Sequence, residues 1–383
     1  TALHTLENQT TALEWSAIEK HLQRQLGEVK LAELEVDTTP LGAASLAQVH
    51  KAIRKSDGKE LVLKIQYPGV ADAIDSDMRA LVRLLKMSRL VPITEQFNMW
   101  LNEVKEMLRR EVDYDLEAHT TRHFRQALAD DARFVVPEIV PEYSSHNIMC
   151  MTFEHGIGVN DPAVLELSQT RRNFIGRAIM ELCCREVFEW NKMQTDPNFG
   201  NYLLRIGEAP EKDQIVLLDF GAIRDFDNDV LGPGREMIRA SYYHDTERLI
   251  RALSALDFLA RGTPRRILDD FAAMCFEAIE VLQDPEKFPP PADLLNENLE
   301  YRWGESNLPG RIMNKAGRNA LSVHFDVPPK EFIFLFRKLL GAYTFLHVIN
   351  AEVRGNTILE PFIHMQEDSD LLLVDQKTIT PGD

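Results

Sequence analysis

Two apolar runs joined by a tight turn constrain this chain more than any other feature. Ser45–Ala52 and Glu60–Gln66 flank Lys55-Ser56-Asp57-Gly58. An Asp-Gly pair supplies the positive φ values that a tight hairpin needs, so the pattern predicts an antiparallel β-hairpin. The second strand reads Leu61-Val62-Leu63-Lys64. A lysine set into an apolar strand faces a pocket, or else it runs its stem along the sheet edge and returns its charge to water. A second apolar run, Ile215-Val216-Leu217-Leu218, reads as a buried strand and ends on Asp219-Phe220-Gly221.

Helical periodicity fills most of the rest. Ser16-Ala17-Ile18-Glu19 has the form of a capping box before the stripe Ile18, Leu22 and Leu26, and Gly27 stands where a C-cap glycine belongs. This predicts a helix over 17–26. Ile74, Met78, Leu81 and Leu85 recur at helical spacing, and Leu101, Val104, Leu108, Val112 and Leu116 define one face of a longer helix. Short β runs follow at Phe134–Val136 and Ile148–Phe153, then a connector near 154–162 with Gly156 and Gly158. Ser168 is the expected N-cap of a helix carrying Ile175, Ile179 and Leu182. Gly207–Asp213 reads as a polar loop, residues 227 to about 350 as helical, and the last ~20 residues as a loose tail. The expected division is 1–160, β-rich with inserted helices; 161–360, mostly helical; and 361–383, a tail.

Composition excludes several classes. Hydrophobic residues make up 44% and charged residues 27% of 383, which rules out disorder and collagen. With 43 Lys+Arg against 60 Asp+Glu, the net charge is −17. A general nucleic-acid surface needs the opposite balance, whereas a nucleotide site needs only a few local cations. The four cysteines form no Cys-x-x-Cys pair, so a zinc site or disulfide framework is not expected and a reducing compartment fits. The longest apolar stretch, Phe332–Asn350, contains Arg337, Lys338 and His347; it reads as a buried helix and not a membrane span. The chain begins at Thr1 without a signal-peptide pattern and reads as a processed product or an engineered piece of a longer chain.

Four pieces carry the chemistry, in one order. Pro40-Leu41-Gly42-Ala43-Ala44-Ser45 is a small-residue loop whose backbone amides could approach phosphate oxygens. Lys64 on the following hairpin would neutralise phosphate charge. Asp196 is followed five residues later by Asn201, and Asp219 opens Asp-Phe-Gly. Taken singly, each has an ordinary explanation: a turn, an edge-strand lysine, a loop rich in turn formers. Taken in order, they reproduce the protein-kinase sequence of phosphate-covering loop, strand lysine, Asp-x-x-x-x-Asn and Asp-Phe-Gly. Asn201 and Asp219 offer the hard oxygens that magnesium prefers, and Asp196 would orient or deprotonate an acceptor hydroxyl. Ala209-Pro210-Glu211 matches the kinase activation-segment motif but precedes Asp219, so it is read as loop.

Longer stretches make the resemblance specific. Residues 40–50, Lys-Ile-Gln-Tyr-Pro-Gly-Val at 64–70, Glu111-Val112-Asp113-Tyr114, Met-Gln-Thr-Asp-Pro-Asn at 193–198 and Leu-Leu-Asp-Phe-Gly-Ala at 217–222 resemble the UbiB/AarF family of atypical kinase-like proteins over about 12–350. The resemblance implies an α+β, protein-kinase-like two-lobe fold with extra helices. It implies ATP or ADP as ligand with magnesium, and ATPase or small-molecule kinase activity supporting ubiquinone biosynthesis. It further implies prenyl-lipid or ubiquinone precursors and biosynthetic enzymes as partners, with peripheral membrane contact and no nucleic acid. The location would be cytoplasmic or peripheral inner-membrane in a bacterium and mitochondrial in a eukaryote. Carried over by residue, Gly42, Ala43, Ala44 and Ser45 form the nucleotide loop, with Gly42 where the family usually has alanine. Lys64 is the strand lysine and Glu111 its ion-pair partner; Glu154 opens the hinge facing adenine. Asp196 and Asn201 are the catalytic-loop pair and Asp219 the second metal ligand.

Two departures qualify this picture. The family's Lys-x-Gly-Gln motif is not found, Lys20-His21-Leu22-Gln23 lacking its glycine, and Gln194-Thr195 stands where typical kinases have His-Arg. The alternatives to a UbiB-type enzyme are a conventional protein kinase and a non-catalytic nucleotide-sensing scaffold.

Overall fold

The structure is a computed structural model that describes residues 12–44, 46–88, 95–196, 198–256, 262–320 and 330–378. Ser45, assigned to the nucleotide loop, lies outside the described residues. The chain forms two compact units. The first comprises 1–158, 200–205 and 214–222; the second comprises 159–199, 206–213 and 223–383.

The first unit opens with α1 (Trp15–Leu26) and a short α2 (Glu28–Ala32). Ile18 and Leu22 are fully buried, as the stripe predicts, and Gly27 ends α1 at φ 81°. The N-terminus differs from expectation. The N-cap is Glu14 with no side-chain bond, and Ser16 lies inside the helix. Packing the Trp15 ring against the core starts the helix two residues earlier than the polar signature implies.

The predicted hairpin is present. Strand β3 (Ala47–Arg54) pairs antiparallel with β4 (Glu60–Gln66), and Gly58 turns the chain at φ 72°. The Asp57 carboxylate accepts from Arg54 and from the Lys59 amide, closing the turn. Around the hairpin, β1 (Leu34–Val36), β3, β4 and β6 (Ile148–Thr152) form one sheet, with β2 (Gly42–Ala43) added on β3. One sheet face packs on α1 through Leu61, Leu63 and Ile65, all fully buried, with Cys150 beside them. Burying three such side chains contributes roughly 1.5–3 kcal/mol each.

Helices α3 (Val70–Ser88) and α4 (Glu95–Glu111) follow the hairpin. The single long helix expected through Leu116 is in fact two. The Asp113 side chain accepts from the Leu116 amide and caps a new helix, α5 (Tyr114–Ala127). A capping carboxylate satisfies an otherwise orphan amide, which makes a helix start here stable. A second sheet, ordered β5-β10-β9-β7, joins Phe134–Val135, Gln214–Leu217, Tyr202–Arg205 and Ile157–Gly158.

The second unit is mainly helical. Its elements are α6 (Pro162–Glu166), α7 (Gln169–Arg185), a π-helical turn at Glu186–Trp190, and strand β8 (Lys192–Gln194) paired with β11 (Ile223–Asp225). Then come α8 (Asn228–Tyr242), α9 (Thr246–Ala255), α10 (Arg265–Ala278), α11 (Leu308–Ala320) and α12 (Lys330–Val348). Strands β12 (Tyr301–Arg302) and β13 (Glu352–Val353) form a small pair. Helix α13 (Asn356–Ile363) closes the helical part, and the segment expected as a loose tail instead carries its last residues and α14 (Glu367–Thr378). The buried Asp370 carboxylate on α14, held by two α8 arginines, is what orders it. No helix among the described residues is long and apolar enough to cross a membrane.

Candidate nucleotide site

The hairpin places Lys64 in the middle of the first sheet, paired across strands with Val49 and with Met149. Val49 in turn pairs with Gly42, so Gly42, Val49 and Lys64 line up across three strands. The small-residue segment is therefore largely strand. The Leu41 and Ala44 amides donate to Val49 and Ala47 carbonyls.

The Lys64 ammonium donates to both oxygens of Glu117, at 2.8 and 3.0 Å, and to Asp219 Oδ2 at 2.9 Å. This corrects the expected partner. Glu111 ends α4 and is exposed, whereas Glu117 sits on the inward face of α5 with Tyr114, Ala118, Thr121 and Phe124. The helix break at Asp113 accounts for the difference, because it re-phases the chain so that Glu117 faces the sheet. The signal was a carboxylate at i+3 from Tyr114 inside an otherwise small or apolar stripe.

Electrostatics sets the charge of this cluster. Side-chain exposure is 19% for Lys64, 2% for Glu117 and 33% for Asp219. Burial pulls the Lys64 ammonium down, but Asp219 and Glu117 outweigh it and hold the pKa well above its ordinary value. Burial pushes Glu117 up to about 7, against the pull of Lys64, and the Asp219 charge adds to the rise. Asp219 goes the other way. Burial raises it, but Lys64 and the Gly221 amide, which donates to Oδ1 at 2.8 Å, hold it below its ordinary value. One cation thus serves two carboxylates, one ionised and one near its titration point. Tyr114 lies beneath, its ring 5.4 Å from the ammonium and its buried hydroxyl without a hydrogen-bond partner among the described residues.

The Asp-Phe-Gly residues split their work. Phe220 is buried and packs its ring 5.2 Å from Phe124 of α5, anchoring the turn. Gly221 lies over the carboxylates: a Cβ there would meet Asp219 Oδ1 at 3.3 Å and Glu117 Oε2 at 3.4 Å. The Leu218 amide donates to the Asn201 carbonyl at 2.9 Å, so Asn201 and Asp219 flank adjacent strand ends. Their side chains carry oxygen donors of the hard kind that magnesium prefers. Among the described residues no cluster of three or more His, Cys, Asp or Glu could hold a metal ion. Glu154 accepts from the Thr152 hydroxyl and from Arg205, which fixes its side chain within the second sheet's surroundings.

In the second unit Asp196 follows β8. The Asp196 amide donates to Gln194 Oε1 and the Asn198 amide to Asp196 Oδ1. Behind it, the Gln194 amide donates to Glu186 of the π-helical turn, and Glu186 pairs with Lys338 at 2.7 Å. Gln194 and Thr195, which depart from His-Arg, are buried, and the Gln194 side chain holds the Asp196 amide.

Comparison with known proteins bears on these features. A family model described as the ABC1 atypical kinase-like domain matches residues 5–253. The chain is 31% identical over 317 residues to the atypical kinase coq-8, mitochondrial, of Caenorhabditis elegans, covering 83% of this chain and 40% of the relative. It is 32% identical to the atypical kinase COQ8B, mitochondrial, of Rattus norvegicus, over 90% of this chain and 62% of the relative. It is 31% identical to the atypical kinase COQ8, mitochondrial, of Saccharomyces cerevisiae, over 92% and 66%. The chain thus spans 40–66% of the length of these three relatives. A solved structure of Rv3197 with erythromycin from Mycobacterium tuberculosis has a TM-score of 0.68, covering 93% of this chain and 84% of that one; at 23% identity it speaks to the fold alone.

Proposed function

Because this chain belongs to the ABC1 atypical kinase-like family, UbiB/AarF, we propose that it binds ATP or ADP with magnesium and hydrolyses or transfers the terminal phosphoryl group in support of ubiquinone biosynthesis. The observation carrying this reading is the Lys64–Glu117–Asp219 cluster, with Asn201 flanking it. Lys64, fixed by Glu117, neutralises the α- and β-phosphates. Asp219 and Asn201 would supply hard oxygens to hold magnesium, which would supply charge neutralisation for the phosphates. Asp196 orients or deprotonates the acceptor hydroxyl. Gly42, Ala43, Ala44 and Ser45 line the nucleotide, and Glu154 begins the adenine-facing hinge. The relatives' names carry the word mitochondrial, which supports that location. Prenyl-lipid or ubiquinone precursors, biosynthetic enzymes and peripheral membrane contact belong to the same proposal and rest on the family resemblance alone.

The test is Asp219→Asn. Thermal shift with ATP, ADP and magnesium should show magnesium-dependent nucleotide binding in the parent protein. The variant should bind roughly tenfold or more weakly, about 1.4 kcal/mol. Unchanged binding and turnover in the variant would overturn the site. Binding without turnover under any lipid condition would turn the reading into a nucleotide-sensing scaffold. Phosphate transfer to peptides, lost on Asp196→Ala, would turn it into a conventional protein kinase.

A further inference from the structure

In the second unit, helices α7, α8, α10 and α12, with the π-helical turn and α13, line a partly open pocket with an interior of ≈ 120 Å³. Its surface comes almost wholly from apolar atoms, among them Met180, Met237 and Leu335. Three cysteines add to the apolar wall: burial pushes Cys183 up to about 11, Cys275 up to about 12 and Cys184 well above its ordinary value, so all three remain neutral thiols. The charged group in the wall, Lys338, is only 9% exposed and is paired at 2.7 Å with Glu186, itself 2% exposed. Gly234 leaves room on one side, since a Cβ there would only reach ordinary contact with Leu335 at 3.5 Å.

Each feature narrows what could enter. A well-packed interior has few voids larger than a water molecule. An apolar void of roughly 150 Å³ stays dry and takes up benzene, because water there would lose its hydrogen bonds. A charged ligand would find Lys338 already neutralised and would leave its own charge unpaired in a low-dielectric wall. We propose that this cavity is a binding site for a small neutral apolar ligand, about the size of one six-membered hydrocarbon ring. The proposal stands apart from the nucleotide site and does not depend on it.

The test uses the full chain with methyl-labelled methionine, titrated with toluene and followed by NMR. Met180→Leu and Met237→Leu assign the two wall methyls. Saturable shifts confined to those methyls among the twelve methionines are the expected result. Filling the space with Gly234→Leu, or independently Cys275→Phe, should weaken toluene binding at least tenfold. Benzoate and benzylammonium should not bind. Shifts that never saturate, or that spread over the other methionines, would overturn the site, as would undiminished binding in both filled variants. Equal binding of the charged probes would overturn the neutral-ligand assignment. If neither filled variant folds, the wild-type methyl shifts decide alone.

Discussion

Each unit holds a buried cluster of ion pairs, and the two are built to opposite rules. In the first unit one cation, Lys64, faces two carboxylates, and Asp219 keeps a third of its side chain exposed. In the second, Arg235 grips both Asp370 oxygens at 2.8 and 2.6 Å, and Arg239 reaches Asp370 and Glu236. Arg248 closes the chain on Glu236 and Glu367. Three arginines meet three carboxylates there, and Arg235, Arg239, Glu236 and Asp370 are at most 1% exposed. The four central groups are sealed from water, while Arg248 and Glu367 at the edge keep 16% and 24% exposure; such a network acts as a strut. The Lys64 cluster is partly open instead, with the Asp219 carboxylate held ionised beside Lys64. Buried charge alone therefore says little about function, whereas charge balance and residual exposure say a good deal.

The comparison can be broken most forcefully at the strut. Asp370→Ala leaves two fully buried guanidinium groups without their shared partner, and loss of one member of a buried pair costs about 3–5 kcal/mol. Urea unfolding should show this loss, with α14 released from α8. A loss under 1 kcal/mol would mean that the network does not fix the C-terminal segment.

A smaller effect separates the two clusters by pH. The raised Glu117 pKa means the folded state holds a proton that the unfolded chain releases from about 4.5 upward. Stability from this group is therefore lost as pH rises from about 4.5 through 7. The Asp219 and Lys64 shifts act outside that window, below 3.8 and above 10.5 respectively. Glu117→Gln should remove the slope, so the stability difference between parent and variant should change between pH 5 and pH 8. A constant difference would show that Glu117 titrates normally.

The smallest effects concern how Glu117 came to face Lys64. Asp113→Ala should destabilise by about 1 kcal/mol through loss of the α5 cap. Ser16→Ala, at a position that looks like a cap but is not one, should change stability by less than about 0.5 kcal/mol. Chemical denaturation of both variants compares the two directly. Equal losses would remove the argument that Asp113 re-phases the helix.

Much of the site was legible without coordinates. The hairpin, Lys64 on its second strand, and Asp219 after an apolar strand rest on local rules of turn chemistry and alternation, and these survive folding. The partner of Lys64 was not legible. Glu111 and Glu117 are six residues apart, and choosing between them requires the helix break at Asp113, where a cap competes with continued periodicity. The helix of the C-terminal segment was hidden for a similar reason. Its acidic residues look solvated until Arg235 and Arg239, more than 130 residues away in sequence, are brought against Asp370.

What the sequence by itself determined, then, is the set of chemical groups and their order along the chain, because strands, turns and caps are decided within a few residues. Only the tertiary structure decided which charges meet. Ion pairing depends on distances that the sequence does not contain, and burial then determines whether the resulting cluster is sealed, like Arg235–Asp370, or poised, like Lys64–Glu117–Asp219.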